Sequence, residues 1–436
     1  MPLLTSVDRL RFIIGRFREQ LWVKPLVVCL LSVAGALAAK FADSTGLTQL
    51  VPEVSLRSIE TLLSIMASSM LVIATFSVGS MVAAFSSASS TATPRSFALV
   101  ISDNTSQNAL STFVGSFIFS IVALTAVKNS YFESAGLFIL FVQTAIVFSI
   151  VIVTFVRWVD CIARLGRMGT TIDMVEQATA RAIKRRQAAP SLGGTTAHTE
   201  GHQQAVFTDK IGYVQHINIA AIQSWATTTE TRIIVAALPG TLATPDRALA
   251  YVCNQKNSEQ PVDYEPLINA FQIGYDRLFE DDPRFGLVVL SEIAGRALSP
   301  AVNDPGTAID IIGTLLRLFN LWNAQSTTAD KEAPDYDRVE VPEIYVEDMF
   351  DDAFTAIARD GASTVEVSVR LQKALLSLSS TGDTAMQNAA KHHAKMALER
   401  AKTALSLKED YDAVAAIAKL TIDSNNTSLS PSTPPT

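Results

Sequence analysis

The chain has 436 residues, enough for two or three domains, but only 18% are charged against 48% apolar, below the roughly 25% charge usual in soluble domains. A net charge of −7 excludes general nucleic-acid binding, which needs a concentrated basic face. Three cysteines with no paired spacing exclude a disulfide framework and a cysteine-based zinc site.

In chain order, residues 1–22 form the first predicted element. There Val7-Asp8-Arg9-Leu10-Arg11-Phe12-Ile13-Ile14 continues to Phe17, Leu21 and Trp22 in the pattern of an interfacial amphipathic helix. Four apolar runs follow, Val23 to Phe41, Ile59 to Phe85, Ala109 to Val127 and Gly136 to Val156, each near the twenty or so residues that cross a bilayer core. Together they predict a four-helix transmembrane domain over 23–158. Between Ile59 and Val156 the only ionisable side chains are Glu60, Arg95, Asp103, Lys128, Tyr131 and Glu133. The first run is the shortest, and its Ala36-Leu37-Ala38 has the form of a signal-peptidase site. An anchor is the better reading, because the 24 residues up to Lys24 are long for the charged start of a signal peptide.

Orientation follows from the basic residues. Arg9, Arg11, Arg16, Arg18 and Lys24 precede or begin the first run, and Arg157, Arg164, Arg167, Arg181, Lys184, Arg185 and Arg186 follow the fourth. The positive-inside rule then places both termini in the cytoplasm, and makes Ser86 to Asn108 a cytoplasmic loop.

Residues 159–204 read as a basic helix, Asp160 to Gln187, and a flexible linker. Residues 205–260 read as a small α/β unit, with strands at Tyr213 to Ile217, Arg232 to Leu238 and Ala248 to Val252 and a helix at Ala220 to Ala226. No lysine occupies the turn of the last hairpin, so biotinyl or lipoyl attachment is not expected. From 261 to 424 the period is helical, with runs at Pro266 to Phe279, Gly286 to Leu298, Pro305 to Trp322, Val346 to Ala358, Val365 to Leu378, Thr384 to Leu405 and Tyr411 to Ile422. Residues 425–436 read as a disordered tail. The predicted fold class is thus an α-helical integral membrane protein with four transmembrane helices, N-in and C-in. Its cytoplasmic region consists of a small α/β unit and an α-helical bundle.

Three groups of residues invite a functional reading. Ser64, Ser68, Thr75, Gly79, Ser86 and Ser90 recur by four and seven in the second run, an eleven-residue repeat that keeps them on one stripe of a straight helix. Such a stripe either lets helix backbones approach closely or lines a pore with hydroxyls. Thr93-Pro94-Arg95 predicts a helix start in the cytoplasmic loop, with Thr93 as N-cap and Pro94 at the first position. Pro94, Arg95 and Asp103 are candidates for an interfacial or gating role, Arg95 either on lipid headgroups or on the cytoplasmic domain. In the soluble region Asp282 opens one helix, and Ser299, Pro300, Asn303, Asp304, Pro305 and Thr307 separate it from the next. These are either helix punctuation or a site for a carboxylate or phosphate at helix N-termini.

No GxxxxGK, HExxH, GxSxG or GxGxxG pattern occurs. His198 and His202 fall in the linker, His216 in a strand, and His392 and His393 on a polar helix face, with no metal-ligand set. No catalytic residue, metal or cofactor is expected, and the chain is read as no enzyme. The spans also lack the internal ionisable groups that proton-coupled transport and intramembrane proteolysis need.

Several stretches resemble a family of bacterial predicted membrane proteins, domain of unknown function 2254. They are the second run leading into Thr93-Pro94-Arg95, then Asp103 and Leu110-Ser111-Thr112-Phe113, then Ile211 to Ile217. Above all they are Asp282-Pro283-Arg284-Phe285-Gly286 and the segment from Ala297 to Ala308. The similarity runs from the first membrane helix to about Ala416. It implies a bacterial inner-membrane location and supplies no activity. Threonine stands at 93 where the family's usual run has serine, which keeps the hydroxyl. The partners expected are the lipid bilayer, further copies of this chain in a homo-oligomer, and a small solute, ion or cytoplasmic ligand. The leading expectation is a channel-like passive pathway with a cytoplasmic regulatory domain; the alternative is a membrane-anchored scaffold or ligand sensor.

Overall fold

A computed structural model describes residues 23–44, 52, 54–91, 93–96, 99, 104–164, 167–197, 203–253, 262–324 and 334–423. The amphipathic segment 1–22, Asp103, His198, His202 and the tail 425–436 lie outside the described residues. The chain divides into two compact units, residues 1–171 and 172–436.

The first unit is helical. Helix α1 (Val23–Ala38) runs into a 3-10 turn at Ala39–Ser44, and is followed by α2 (Leu56–Thr91), α3 (Asn104–Lys128) and α4 (Ser134–Arg164). All four are long and apolar enough to cross a membrane. α2 has 36 residues, roughly 54 Å at 1.5 Å per residue, so it overshoots a core of about 30 Å. The apolar run from Ile59 to Phe85 therefore marks only its central part; the Ser- and Ala-rich stretch to Thr91 continues the helix until Pro94 ends it.

α3 is the hub, meeting α1, α2 and α4. At Gly115 a Cβ would stand 2.4 Å from Val28 Cγ1, so the glycine is what lets α1 and α3 cross closely. Buried Ser111 and Ser120 donate to the carbonyls of Gln107 and Ser116 at 2.7 and 2.8 Å, so neither of these two hydroxyl protons is unmet in its apolar setting. The interior is filled with side chains: Ile59, Leu63, Phe119 and Leu140 form one cluster, and Met70, Phe113, Val151 and Trp158 another. Phe113 and Trp158 meet edge to face at 5.8 Å.

The second unit begins inside helix α5 (Met168–Ala188). The basic helix of the sequence reading carries a buried stripe, Ile172, Val175, Ala178, Ala182 and Ile183. Arg186, counted among the basic flank, is itself buried and donates to the Pro342 carbonyl at 2.9 Å. Burial lowers its pKa to about 10, against the opposing pull of Glu343 and Asp281.

Two sheets follow. One has five strands in the order β1 (Thr195–Thr196), β8 (Val339–Val341), β4 (Arg232–Val235), β6 (Ala250–Cys253), β2 (Gln203–Val206); the other has β5 (Leu242–Ala243), β3 (Gly212–Ile217), β7 (Phe271–Gly274). Helix α6 (Ile219–Thr228) covers them, with Asn218 accepting from Ala221 N as N-cap. The α/β part thus draws on strands from well beyond residue 260. The helix expected over Pro266 to Phe279 is one turn, α7 (Glu265–Ile268), after which Phe271–Gly274 pairs antiparallel with β3. That pairing holds the strand, and it joins segments more than fifty residues apart.

The bundle comprises α8 (Pro283–Ala297), α9 (Pro305–Ala324), α10 (Val346–Asp360), α11 (Val365–Thr381), α12 (Thr384–Ala404) and α13 (Lys408–Ile422). At its centre Phe319, Phe350 and Phe354 stack within 5.4 Å of one another. His393, expected on a polar face, instead lies against Phe350 and Phe354 with its side chain 7% exposed. The polar neighbours of α12 in sequence do not reveal this, because the aromatic partners come from α10. His392 is exposed as expected.

Candidate functional site

On α2 the buried face consists, among the described residues, of Ile59, Leu63, Met66, Ala67, Met70, Ala74, Ser77, Met81 and Ala84. Ser64, Ser68, Thr75, Gly79 and Ser86 lie on the opposite, exposed face; the side chain of Ser90 is outside the described residues. No atom comes within 4 Å of where a Gly79 Cβ would stand, so no described helix of this chain crosses there. Leu71, Val72, Thr75, Phe76, Gly79, Ser80 and Ala83 form an open groove. Two of the hydroxyls are turned onto their own helix: Ser68 Oγ donates to the Ser64 carbonyl at 3.0 Å, and Thr75 Oγ1 to that of Leu71 at 2.9 Å. This makes the stripe tolerable beside lipid or another helix, and leaves each oxygen able to accept from water.

The helix expected to follow Thr93, over 97–101, lies largely outside the described residues. Pro94–Ser96 is a single 3-10 turn closed by Ser96 N and Oγ on the Thr93 carbonyl at 3.1 and 2.8 Å, and the buried Thr93 hydroxyl has no hydrogen-bond partner among the described residues. Arg95 is exposed.

A polar clamp in this unit escaped the sequence reading. Asp43 accepts from the backbone N–H groups of Glu133 at 2.9 Å and Gly136 at 2.6 Å, capping the first turn of α4 from the end of the first span. Lys40 pairs with Asp43 at 3.3 Å and stands over the Tyr131 ring at 5.6 Å. A Cβ at Gly136 would lie 2.7 Å from the Asp43 carboxylate. The Lys-x-x-Asp spacing at the end of one span, with a glycine early in another, was the available signal.

In the second unit all five residues of Asp282-Pro283-Arg284-Phe285-Gly286 are accounted for by structure. Asp282 caps α8 through Phe285 N at 3.1 Å and pairs with Arg277 at 2.7 Å. Burial raises its pKa despite that arginine. Pro283 takes the first helical position. Arg284 bridges to Asp348 and Asp352 of α10, both at 2.6 Å. Phe285 stacks on Phe279 at 4.6 Å, and Gly286 abuts Thr179 of α5 so closely that a Cβ would overlap its hydroxyl. Beside this corner His216 Nδ1 meets Asp281 at 2.6 Å, and Arg185 reaches the same carboxylate at 3.1 Å. Burial would raise the Asp281 pKa, but the His216 and Arg185 contacts outweigh it and the net shift is down.

The segment between α8 and α9 is a rigid loop. Val302 N and Asn303 N donate to the Ser299 carbonyl at 3.0 and 2.8 Å, Asp304 N to that of Ala297 at 2.8 Å, and Ser299 Oγ to that of Arg296 at 2.7 Å. Asn303 has φ 49, a left-handed conformation that asparagine tolerates better than most. Asp304 accepts from Thr307 N at 3.1 Å and from its hydroxyl at 2.6 Å, which lowers its pKa. The α9 N-terminus is thus already served by an internal carboxylate, so the arrangement favours punctuation over an anion site. Pro305 starts the helix. Asp282 and the Ser299–Thr307 loop stand at opposite ends of α8 and form no common pocket. Among the described residues no cluster of three His, Cys, Asp or Glu could hold a metal.

A family model described as a predicted membrane protein, DUF2254, matches residues 18–377. The uncharacterized protein MT1328 of Mycobacterium tuberculosis (strain CDC 1551) is 28% identical over 130 residues, 28% of this chain and 23% of that protein. The uncharacterized proteins Rv1290c of M. tuberculosis (strain H37Rv) and Mb1321c of Mycobacterium bovis are each 43% identical over 63 residues, 14% of this chain and 11% of theirs. The match therefore covers less than a quarter of each relative's length. No solved structure matches the chain.

Proposed function

The chain belongs to the DUF2254 family of predicted membrane proteins, and on that premise we propose a homo-oligomeric, channel-like passive pathway in the bacterial inner membrane, for ions or small solutes, with the C-terminal region as its cytoplasmic regulatory domain. The observation that carries this reading is the placement of Ser64, Ser68, Thr75, Gly79 and Ser86 on the exposed face of α2, while the interior of the four-helix unit is filled by Leu63, Phe113, Phe119, Leu140 and Trp158. A path through one chain has no room, so a path must form between copies around the hydroxyl face. The absence of ionisable groups within the central parts of α2, α3 and α4 argues against coupling to protons. Both termini are assigned to the cytoplasm from the basic residues flanking the first and fourth spans.

The test is flux. Purified chain in liposomes is expected to pass ions or small solutes, and vesicles that stay tight across potentials, osmotic tensions and pH values would sink the proposal. The scaffold reading draws on a different observation, that the Ser68 and Thr75 hydroxyls of the stripe are bonded back to their own helix. Under it, enlarging Ser68 or Thr75 disturbs assembly and changes no flux.

A further inference from the structure

Ala36-Leu37-Ala38 has the small-x-small form that a signal peptidase reads, and the four-helix unit holds it in a shape that such an enzyme cannot use. α1 runs through Ala38, and the 3-10 turn Ala39–Ser44 takes over directly. The peptide bond between Ala38 and Ala39 therefore lies within continuous helical backbone. A peptidase of this kind takes its substrate as an extended strand, in which residues two apart point the same way. On a helix of 3.6 residues per turn they stand about 200° apart. Ala36 is accordingly buried and Ala38 exposed, so no single enzyme surface can receive both.

Both flanks of the bond are anchored. Ala36 and Ala39, 1% and 0% exposed, belong to the cluster that contains Ile59, Phe119, Phe132 and Leu140. Beyond them Asp43, its side chain 4% exposed, accepts from the N–H groups of Glu133 and Gly136 at 2.9 and 2.6 Å. Lys40 pairs with the same carboxylate at 3.3 Å. The end of the first span is thus stapled to the first turn of α4. Drawing roughly six residues from a helical rise of about 1.5 Å to a strand's about 3.4 Å lengthens the chain by about 11 Å. With Ala36 in its cluster and Asp43 on α4, the segment between them cannot lengthen; one end must let go first.

We propose that Ala36-Leu37-Ala38 is a latent processing site for a membrane peptidase specific for small residues, shut in the folded unit by the Asp43 clamp. The reaction is hydrolysis: the hydroxyl of water goes to the Ala38 carbonyl carbon, the bond to the Ala39 nitrogen breaks, and that nitrogen takes the proton. In the folded chain it proceeds only through a locally opened state, and its rate follows the population of that state. The clamp sets that population, which keeps the first span in the chain although it ends in a cleavable sequence. That this end faces away from the cytoplasm, where signal peptidases cut, rests on the orientation proposed above; the closure does not.

The test is the full chain in detergent micelles, which expose both ends of the span, mixed with a bacterial signal peptidase at a temperature below every variant's unfolding midpoint. Mass and N-terminal sequence of the products are read. A synthetic peptide of residues 24–48 is the unclamped substrate, expected to be cut between Ala38 and Ala39. The folded wild type should be cut on the order of a hundredfold more slowly. Asp43→Ala removes the acceptor, and Gly136→Ala displaces it, since the new methyl would stand 2.7 Å from the carboxylate; each should speed cleavage about tenfold. Glu133→Ala gives up only the 4.0 Å contact with Lys40, and Met70→Ala loosens the other cluster; both should keep the wild-type rate. Ala38→Leu added to Asp43→Ala should stop cleavage. Resistance of both clamp variants while the peptide is cut overturns the proposal. So does an uncut peptide, a wild type cut at the peptide's rate, or equal acceleration by Met70→Ala, the mark of general loosening.

Discussion

Protonation of His393 should set the acid stability of the C-terminal unit. Its imidazole is 7% exposed, lies 5.6 Å from the Phe350 ring centroid, and has Asp351 3.3 Å from Nε2. Burial lowers its pKa from 6.5 to about 4, with His392 and Arg400 adding to the shift and the solvent-exposed Asp351 opposing it. Between pH 6.5 and 4 the unfolded chain binds this proton and the folded chain does not, so stability falls as pH drops through that window. A shift of about 2.5 pH units corresponds to about 3 kcal/mol at 1.36 kcal/mol per unit, or a Tm lower by roughly 5–10 °C for a unit of this size. Thermal unfolding of the purified chain, followed from pH 7 to 4.5, should show most of that loss. His393→Leu should flatten the curve, because it removes the titrating group and keeps an apolar fill. The carboxylates of this unit whose pKa values are lowered, Asp246, Asp281 and Asp304, titrate below the window, while Asp282, raised by burial, binds its proton more readily in the folded chain and so works against the loss. A wild-type midpoint that does not move, or a slope that survives in His393→Leu, refutes the reasoning.

Gly286→Ala should destabilise the same unit by about 1–3 kcal/mol, because the new methyl would overlap Thr179. Adding Thr179→Ala should recover part of the loss, read by the denaturation midpoint. Asp304→Ala should cost about 1 kcal/mol and Asp304→Ser much less, since serine restores an N-cap acceptor; equal losses from both would point away from capping. In the membrane unit Asp43→Ala strips two backbone N–H groups of α4 of their acceptor and should lower the detergent-solubilised midpoint by the equivalent of about 1–2 kcal/mol, while Glu133→Ala, whose contact with Lys40 is a loose 4.0 Å, should leave it nearly unchanged.

How much of this could be read from the sequence depends on the range of the interaction that holds each element. The four spans were legible because lipid requires every backbone group to be satisfied within its own helix, which writes each span as one uninterrupted apolar run. The starts of α8 and α9 were legible for a related reason: Asp282 and Asp304 accept from N–H groups three residues on, a bond made entirely within local sequence. β7 and β8 were not. Phe271–Gly274 and Val339–Val341 are short, and each is a strand only because a distant segment pairs with it. The membership of α5 in the second unit was hidden in the same way, since its apolar stripe is diluted by surface arginines that obey the positive-inside pattern equally well.

The small-residue stripes show the same division. Sequence periodicity drew attention to α2, whose Ser/Thr/Gly face meets no described helix of the chain, whereas the residues that bring helices together lie on α3, where Gly115 admits Val28 and Ser111 and Ser120 are buried. A small residue lowers the distance of closest approach but does not select a partner; the partner is selected by the bulk around it. On α3 the glycine is followed by Phe117 and Phe119, which pack into the two clusters that fill the four-helix interior. On α2 the neighbours of Gly79 leave an open groove. The two helices therefore differ in kind: α3 completes its contacts against described helices of the same chain, and the Ser/Thr/Gly face of α2 meets none of them. That asymmetry is why the proposed pathway is placed between copies, along α2, rather than through the four-helix unit.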